Sequence, residues 1–139
     1  MNEAVQMLKG KHDFRNFCKV SIDKTNYVRS VEDVSIKKTH YFKNISELFI
    51  TANGFLWHQI RFIMHLILAI GSEKEEPDLI EKLLDIKMFP SKPEYDLADA
   101  LPLTLHSSIY ESDLKWKTNK KTIDKINKQL EKMIHEEKI

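Results

Sequence analysis

One cysteine, three glycines and four prolines are all that these 139 residues contain. With Cys18 alone no internal disulfide forms, and that usage suggests a reducing compartment; the expected localisation is intracellular, nucleus and/or cytoplasm. Three glycines cannot furnish a P-loop or a dinucleotide fingerprint, and neither motif occurs, nor does a paired-carboxylate motif. Charge of one sign is also lacking. The formal net charge is +1, so no global field announces a polyanionic partner, although a local patch can recruit one. Long apolar runs are absent too. The best candidate, residues 54–71, is broken by Arg61, which leaves nine uncharged residues at 62–70. A spanning helix needs about 20, so no membrane segment is expected. The opening "MNEAVQMLKGKHDF" has an early acid and no apolar core, unlike a signal peptide.

What is present reads as one globular domain: 42% hydrophobic and 31% charged residues suit a chain with a sizeable core. "NEAVQML" predicts a short helix closed by Gly10, and "DFRNFCKV" a short element in which Phe14 and Phe17 share a face. Val28, Val31, Val34 and Ile36 alternate with polar residues as in a strand, with a phase slip between Val31 and Val34 that predicts a bulge. "SELFITA" predicts a second strand, with "YFKN" as the turn between them. Residues 54–71 follow as a helix. "EPDLIEKLLDI" predicts another, with Pro77 in its first turn and a stripe of Leu79, Ile80, Leu83 and Leu84. A loop with three prolines leads to "LTLHSSIYE", which reads as β structure. The tail is an amphipathic helix with Ile123, Ile126, Leu130, Met133 and Ile134 on one side, expected to pack on the domain or on a neighbouring subunit. The fold class is α/β in the α+β sense, an antiparallel sheet flanked by helices.

The unusual feature is "GFLWHQIRFIMHLILAIG" at 54–71, an apolar helix holding one arginine and two histidines. On a continuous helix His58, Arg61 and His65 line one face, while Trp57, Ile60, Met64, Ile67 and Leu68 cover the rest, with Trp57 assigned to the core. Arg61 either reaches solvent along its stem or stands in a cleft wall paired with a carboxylate or phosphate. A metal site is disfavoured, because His58 and His65 lie about 10.5 Å apart along the axis and zinc–nitrogen bonds are about 2 Å. "KHDF" near Cys18 suggests a Cys/His/Asp site, but no oxyanion-hole motif accompanies it and a lone cysteine beside aromatics is usually packed core.

Three stretches in order and register, "GKHDFRNFCK" (10–19), "ITANGFLWHQIRFIMHLILAIG" (50–71) and "KPEYDLADALPLTLHSSIYE" (92–111), resemble the C-terminal half of the TruA family of tRNA pseudouridine synthases. The first and third are most similar to the eukaryotic branch that modifies the anticodon stem-loop, and Pro102 suits that branch. The resemblance runs over residues 4–116, taken as a partial catalytic domain; the lysine-rich tail, 117–139, lies outside it.

The resemblance implies uridine isomerisation, at tRNA position 38 or 39, with no cofactor and no metal and with the base flipped from the RNA. It implies that Arg61 is the counter-ion of a catalytic aspartate, fixing that carboxylate and keeping it ionised. Leu101 in "DALPL" matches the family's apolar residue against the uracil. His58, Phe55 and Tyr95 are further substrate-binding candidates. The family's Arg-Thr-Asp motif is missing, and Asp13, Asp96 and Asp99 belong to other motifs, so the chain is expected to be a C-terminal fragment that is inactive alone. Lys11, Arg15 and Lys19 are candidate phosphate contacts, and Lys37, Lys38 and Lys43 form a second basic group. The expected partners are tRNA and a second copy in a homodimer. The alternative is a catalytically silent RNA-binding or dimerisation module of the same fold.

Overall fold

The computed structural model describes residues 1–136, in two compact units, Met1–Leu103 and a second beginning at Thr104. The first unit holds α1 (Asn2–Gln6), β1 (Gly10–Asp13), a single 3-10 turn (Arg15–Phe17), β2 (Val28–Lys38), β3 (Ser46–Ala52), α2 (Gln59–Gly71) and α3 (Leu79–Leu84). The strands form an antiparallel sheet in the order β1-β2-β3, the predicted α+β arrangement.

The bulge lies where the valines slip phase. Val31 pairs with Ala52 and Asp33 with Thr51, so Glu32 is the extra residue. In an unbroken strand, residues three apart point to opposite faces. The bulge returns Val34 to the face of Val31, and both are buried. Against them pack Ala4, Val5 and Leu8, then Ile63, Leu66, Ile67 and Ile70 of α2, then Ile80 and Leu83 of α3. Gln6 Nε2 donates to the Val34 carbonyl at 3.0 Å, tying α1 to the sheet. No helix among the described residues is long and apolar enough to cross a membrane.

Five sequence expectations change. β1 was not anticipated: "GKHD" has no alternating apolar pattern, and the ladder with β2 makes it a strand. "LTLHSSIYE" forms no strand among the described residues, because period-two alternation needs a ladder partner and the second unit offers none. Trp57 is 55% exposed rather than core, and Leu68 is exposed as well. His58 does not share the helical face of Arg61 and His65, since it is the residue before α2, in the left-handed region at φ 59° and ψ 11°. α3 spans the predicted stripe, Leu79–Leu84, but not the whole of "EPDLIEKLLDI", so Pro77 lies before the helix rather than in its first turn.

The second unit consists of an extended stretch and α4 (Lys120–Glu136), a 17-residue helix. Its apolar stripe runs along one side as predicted, and each of the five residues is 42–55% exposed.

Candidate active site

The site is built at the N-terminal end of α2. Gln59 is 1% exposed and folds the preceding turn: its Oε1 accepts the Leu56 amide at 2.8 Å, while its own amide donates to the Leu56 carbonyl at 3.1 Å. That turn forces His58 into its left-handed conformation, which costs a non-glycine residue on the order of 1–2 kcal/mol. The His58 carbonyl accepts the Phe62 amide at 3.0 Å, and its ring stacks on Trp57 with centroids 5.2 Å apart. Lys19 joins this cluster. Its Nζ sits 4.4 Å from the Trp57 ring centroid, and its amide donates to the Trp57 carbonyl at 2.9 Å.

Arg61 is half-buried one turn into α2. Nε donates to the Ala98 carbonyl at 2.7 Å, and the Ala98 amide donates to the Arg61 carbonyl at 3.0 Å. This pair of hydrogen bonds ties helix to loop, and the Nε bond anchors the guanidinium to the Ala98 carbonyl. Neither Nη group has a partner among the described residues, and no carboxylate pairs with it there. The side chain is thus neither a free snorkelling arginine nor part of a closed ion pair. It is a donor held at Nε, with both Nη groups unengaged among the described residues.

The loop that meets Arg61 is held by Tyr95. The Tyr95 hydroxyl donates to the Asn16 carbonyl, and its ring stands edge-on to Phe62 at 5.3 Å and stacks with His65 at 6.0 Å. Lys92 Nζ lies 4.5 Å from both the Tyr95 and the Phe62 rings. Burial pushes the Tyr95 phenol well above its ordinary range, so it stays a donor. Tyr95 is therefore a strut between loop and core, and its polar end is already engaged. Next to Ala98, Asp99 Oδ1 accepts the Leu101 amide at 2.9 Å, a local turn that leaves Leu101 71% exposed. Phe55 is exposed as well. The structure brings Arg61, His58 and Phe55 to one end of α2, and ties the Leu101 loop to it through Ala98.

The basic candidates divide. Arg15 is bidentate on Asp13, with Nε to Oδ1 at 3.0 Å and Nη2 to Oδ2 at 2.7 Å, and this pair holds the Asp13 carboxyl below its usual range. An arginine so engaged has little left for phosphate. Lys11 is exposed and lines a shallow groove with Asn26, Arg29, Ser30 and Asn53. Arg29 was missed as a candidate. "YVRSV" shows it only as a polar strand position, and β1–β2 pairing is what brings it beside the segment bearing Lys11. Cys18 is fully buried, burial pushes its thiol up, and Sγ donates to the Arg15 carbonyl at 3.7 Å. Such a thiol is a core residue, not a nucleophile. No group of three metal-ligating side chains occurs among the described residues.

A family model described as tRNA pseudouridine synthase matches residues 4–111 of the chain. Among curated proteins, a probable tRNA pseudouridine synthase of Caenorhabditis elegans is 38% identical over 133 residues, covering 88% of this chain and 33% of that protein. The human tRNA pseudouridine(38/39) synthase is 31% identical over 127 residues, covering 84% of this chain and 26% of its own length. A tRNA pseudouridine synthase A of Clostridium perfringens is 32% identical over 85 residues, 61% of this chain and 34% of that one. The chain thus spans about a quarter to a third of the length of these relatives.

Proposed function

The chain belongs to the tRNA pseudouridine synthase family, and from that premise we propose that it supplies the arginine-bearing part of an active site that isomerises uridine in the tRNA anticodon stem-loop, at position 38 or 39. In the reaction the bond from ribose C1′ to uracil N1 breaks and a bond from C1′ to uracil C5 forms. The C5 proton leaves and N1 gains one, so no cofactor or redox partner is required.

The observation that supports this reading is the state of Arg61. Its Nε is committed to Ala98, and its Nη groups are left for an acceptor outside the described residues. A carboxylate placed there gains charge-assisted bonds and stays ionised. Arg-Thr-Asp, where the resemblance locates the family's aspartate, does not occur in the sequence, and on this reading the carboxylate is supplied by another polypeptide segment. Leu101 and Phe55 offer exposed apolar surface to a flipped uracil, with His58 at its border. Lys11, Arg29 and Lys19 are the cations best placed for phosphate, and Arg15 contributes structure through Asp13.

A chimera tests the proposal. The matching third of a full-length relative is replaced by this chain, and pseudouridine is measured at positions 38 and 39 of a tRNA transcript. The expected result is restored modification that Arg61→Met abolishes, while the chain alone forms none. A chimera that binds tRNA and never modifies it, although the parent relative does, would overturn the catalytic reading in favour of a binding module.

A further inference from the structure

α4 lies beyond residue 111, where the family match ends, and the site described above does not use it. Residues 115–132 hold seven lysines against two acids, a net +5 in a chain whose total is +1, so the remaining residues sum to −4. α4 itself carries five lysines against Asp124, Glu131 and Glu136, a net +2, and what distinguishes it is how those lysines are placed.

Within α4 the lysines are also sorted by face. Lys121, Lys125, Lys128 and Lys132 recur at i, i+4, i+7 and i+11, which keeps them within an arc of about 60° and spreads them over about 16 Å of helix. They line one open surface together with Asp124 and Gln129. Lys132 meets Glu136 at 3.6 Å in an exposed pair, and no ion pair engages Lys121, Lys125 or Lys128 among the described residues. Like charges at i, i+4 destabilise a helix, and an isolated helix of this length is marginal in water. Two Lys–Lys pairs of that spacing, 121/125 and 128/132, are a standing cost that a bound polyanion would remove.

We infer that the lysine stripe of α4 is a docking surface for the phosphate backbone of RNA, tRNA in the first instance. The choice of substrate class rests on the tRNA reading given above. An anionic membrane is the other polyanion a basic amphipathic helix meets, and the geometry favours RNA. A helix lying in a bilayer interface keeps its lysines beside the apolar face, where they reach headgroups. Here the stripe is centred about 160° from the line of Ile123, Ile126, Leu130, Met133 and Ile134, so burying that line in lipid would aim the lysines away from the surface. Contacts of this kind carry no base readout; they add affinity and orientation.

The test uses the 139-residue chain, a tRNA transcript and fluorescence anisotropy over a series of potassium chloride concentrations. Lys121→Gln, Lys125→Gln, Lys128→Gln and Lys132→Gln are combined in one variant, since glutamine keeps helix propensity close to lysine. The same four positions changed to Arg form the charge-preserving control. Lys74→Gln, Lys82→Gln and Lys87→Gln together control for bulk charge. Each lysine–phosphate contact contributes about 0.7–0.9 to the slope of log K against log salt. The Gln variant should therefore bind at least about tenfold more weakly at low salt, with a slope shallower by about 3, while both controls stay near wild type. Wild-type affinity and slope in the Gln variant would overturn the inference and leave the synthase reading to the chimera assay. So would equal weakening in the bulk-charge control, or a wild-type chain with no tRNA affinity. Loss of binding to phosphatidylserine vesicles with tRNA binding intact would assign the stripe to membranes instead.

Discussion

Arg61 and Ala98 hold each other through two hydrogen bonds, one from the guanidinium Nε and one from the Ala98 amide back to the Arg61 carbonyl. Because one of the two is backbone to backbone, the loop keeps an anchor when the side chain changes. Arg61→Met should therefore cost only about 1 kcal/mol of stability, the typical net value of one hydrogen bond. Its effect on turnover in the chimera should be far larger. Losing one preorganised donor to a charged group at the reacting centre typically costs about 100- to 1,000-fold in rate, so a loss on the order of 100-fold or more is expected. Arg61→Lys should fall between, since one ammonium cannot both grip Ala98 and present a planar fork. Single-turnover pseudouridine formation beside urea unfolding separates the two effects. Equal losses in rate and stability would reduce Arg61 to a loop anchor.

Asn16 is the most connected polar residue of the core. Fully buried, it donates from Nδ2 to the carbonyls of Leu83 at 2.9 Å and Phe89 at 2.7 Å, and its own carbonyl accepts the Tyr95 hydroxyl. Asn16→Ala removes both side-chain bonds and strands two carbonyls, so a loss on the order of 2–4 kcal/mol is expected. Tyr95→Phe removes a single bond and should cost about 1–2 kcal/mol. If Tyr95→Phe proves the more damaging, the strut rather than Asn16 organises the loop. Chemical denaturation at neutral pH decides it.

The Asp13–Arg15 pair gives a pH test with a definite sign. The hydrogen bond from Arg15 lowers the Asp13 pKa below its ordinary 3.8. A depressed carboxylate contributes stability that is present above the unfolded value and disappears as pH falls through the folded one. The Arg15 and Asp13 side chains are 36% and 16% exposed, so water screens the pair and about 0.5–1 kcal/mol is a realistic share. Asp13→Asn should lose that amount at pH 6 and converge on wild type as pH falls below 3.8 and through the lowered folded value. A gap that persists unchanged in acid would mean that the destabilisation comes from packing, not from charge.

How much of this was legible in the sequence depended on how local the cause was. The valine phase slip announced the bulge at Glu32, since side-chain alternation is a property of the strand itself. "SELFITA" read as a strand for the same reason, and matches β3 at both ends. β1 was invisible, because Gly10 to Asp13 become a strand only by pairing with residues 28–31. "LTLHSSIYE" failed in the opposite direction, having the pattern without a partner. Within the site, Arg61 stood out as a charge in an apolar run, but its bond to Ala98 spans 37 positions and no spacing rule reaches that far. His58 was misplaced because helical periodicity was extended back to residue 54, across a turn that Gln59 closes.

Leu101 offers the cleanest separation of site from scaffold. At 71% exposure it has little packing to lose, so Leu101→Ala should leave stability within about 0.5 kcal/mol of wild type. Ile80, fully buried in α3, is the contrasting position. Ile80→Ala removes the same kind of apolar bulk from the core and should cost about 2–5 kcal/mol. The expected order in the chimera is then reversed between assays. Leu101→Ala should lower pseudouridine formation in single turnover while its unfolding midpoint is unmoved, because an exposed leucine acts only on what binds against it. Ile80→Ala should lower the unfolding midpoint yet retain turnover at temperatures where it stays folded. Full activity in Leu101→Ala would remove this residue from the base-binding surface and leave Phe55 and His58 to define it.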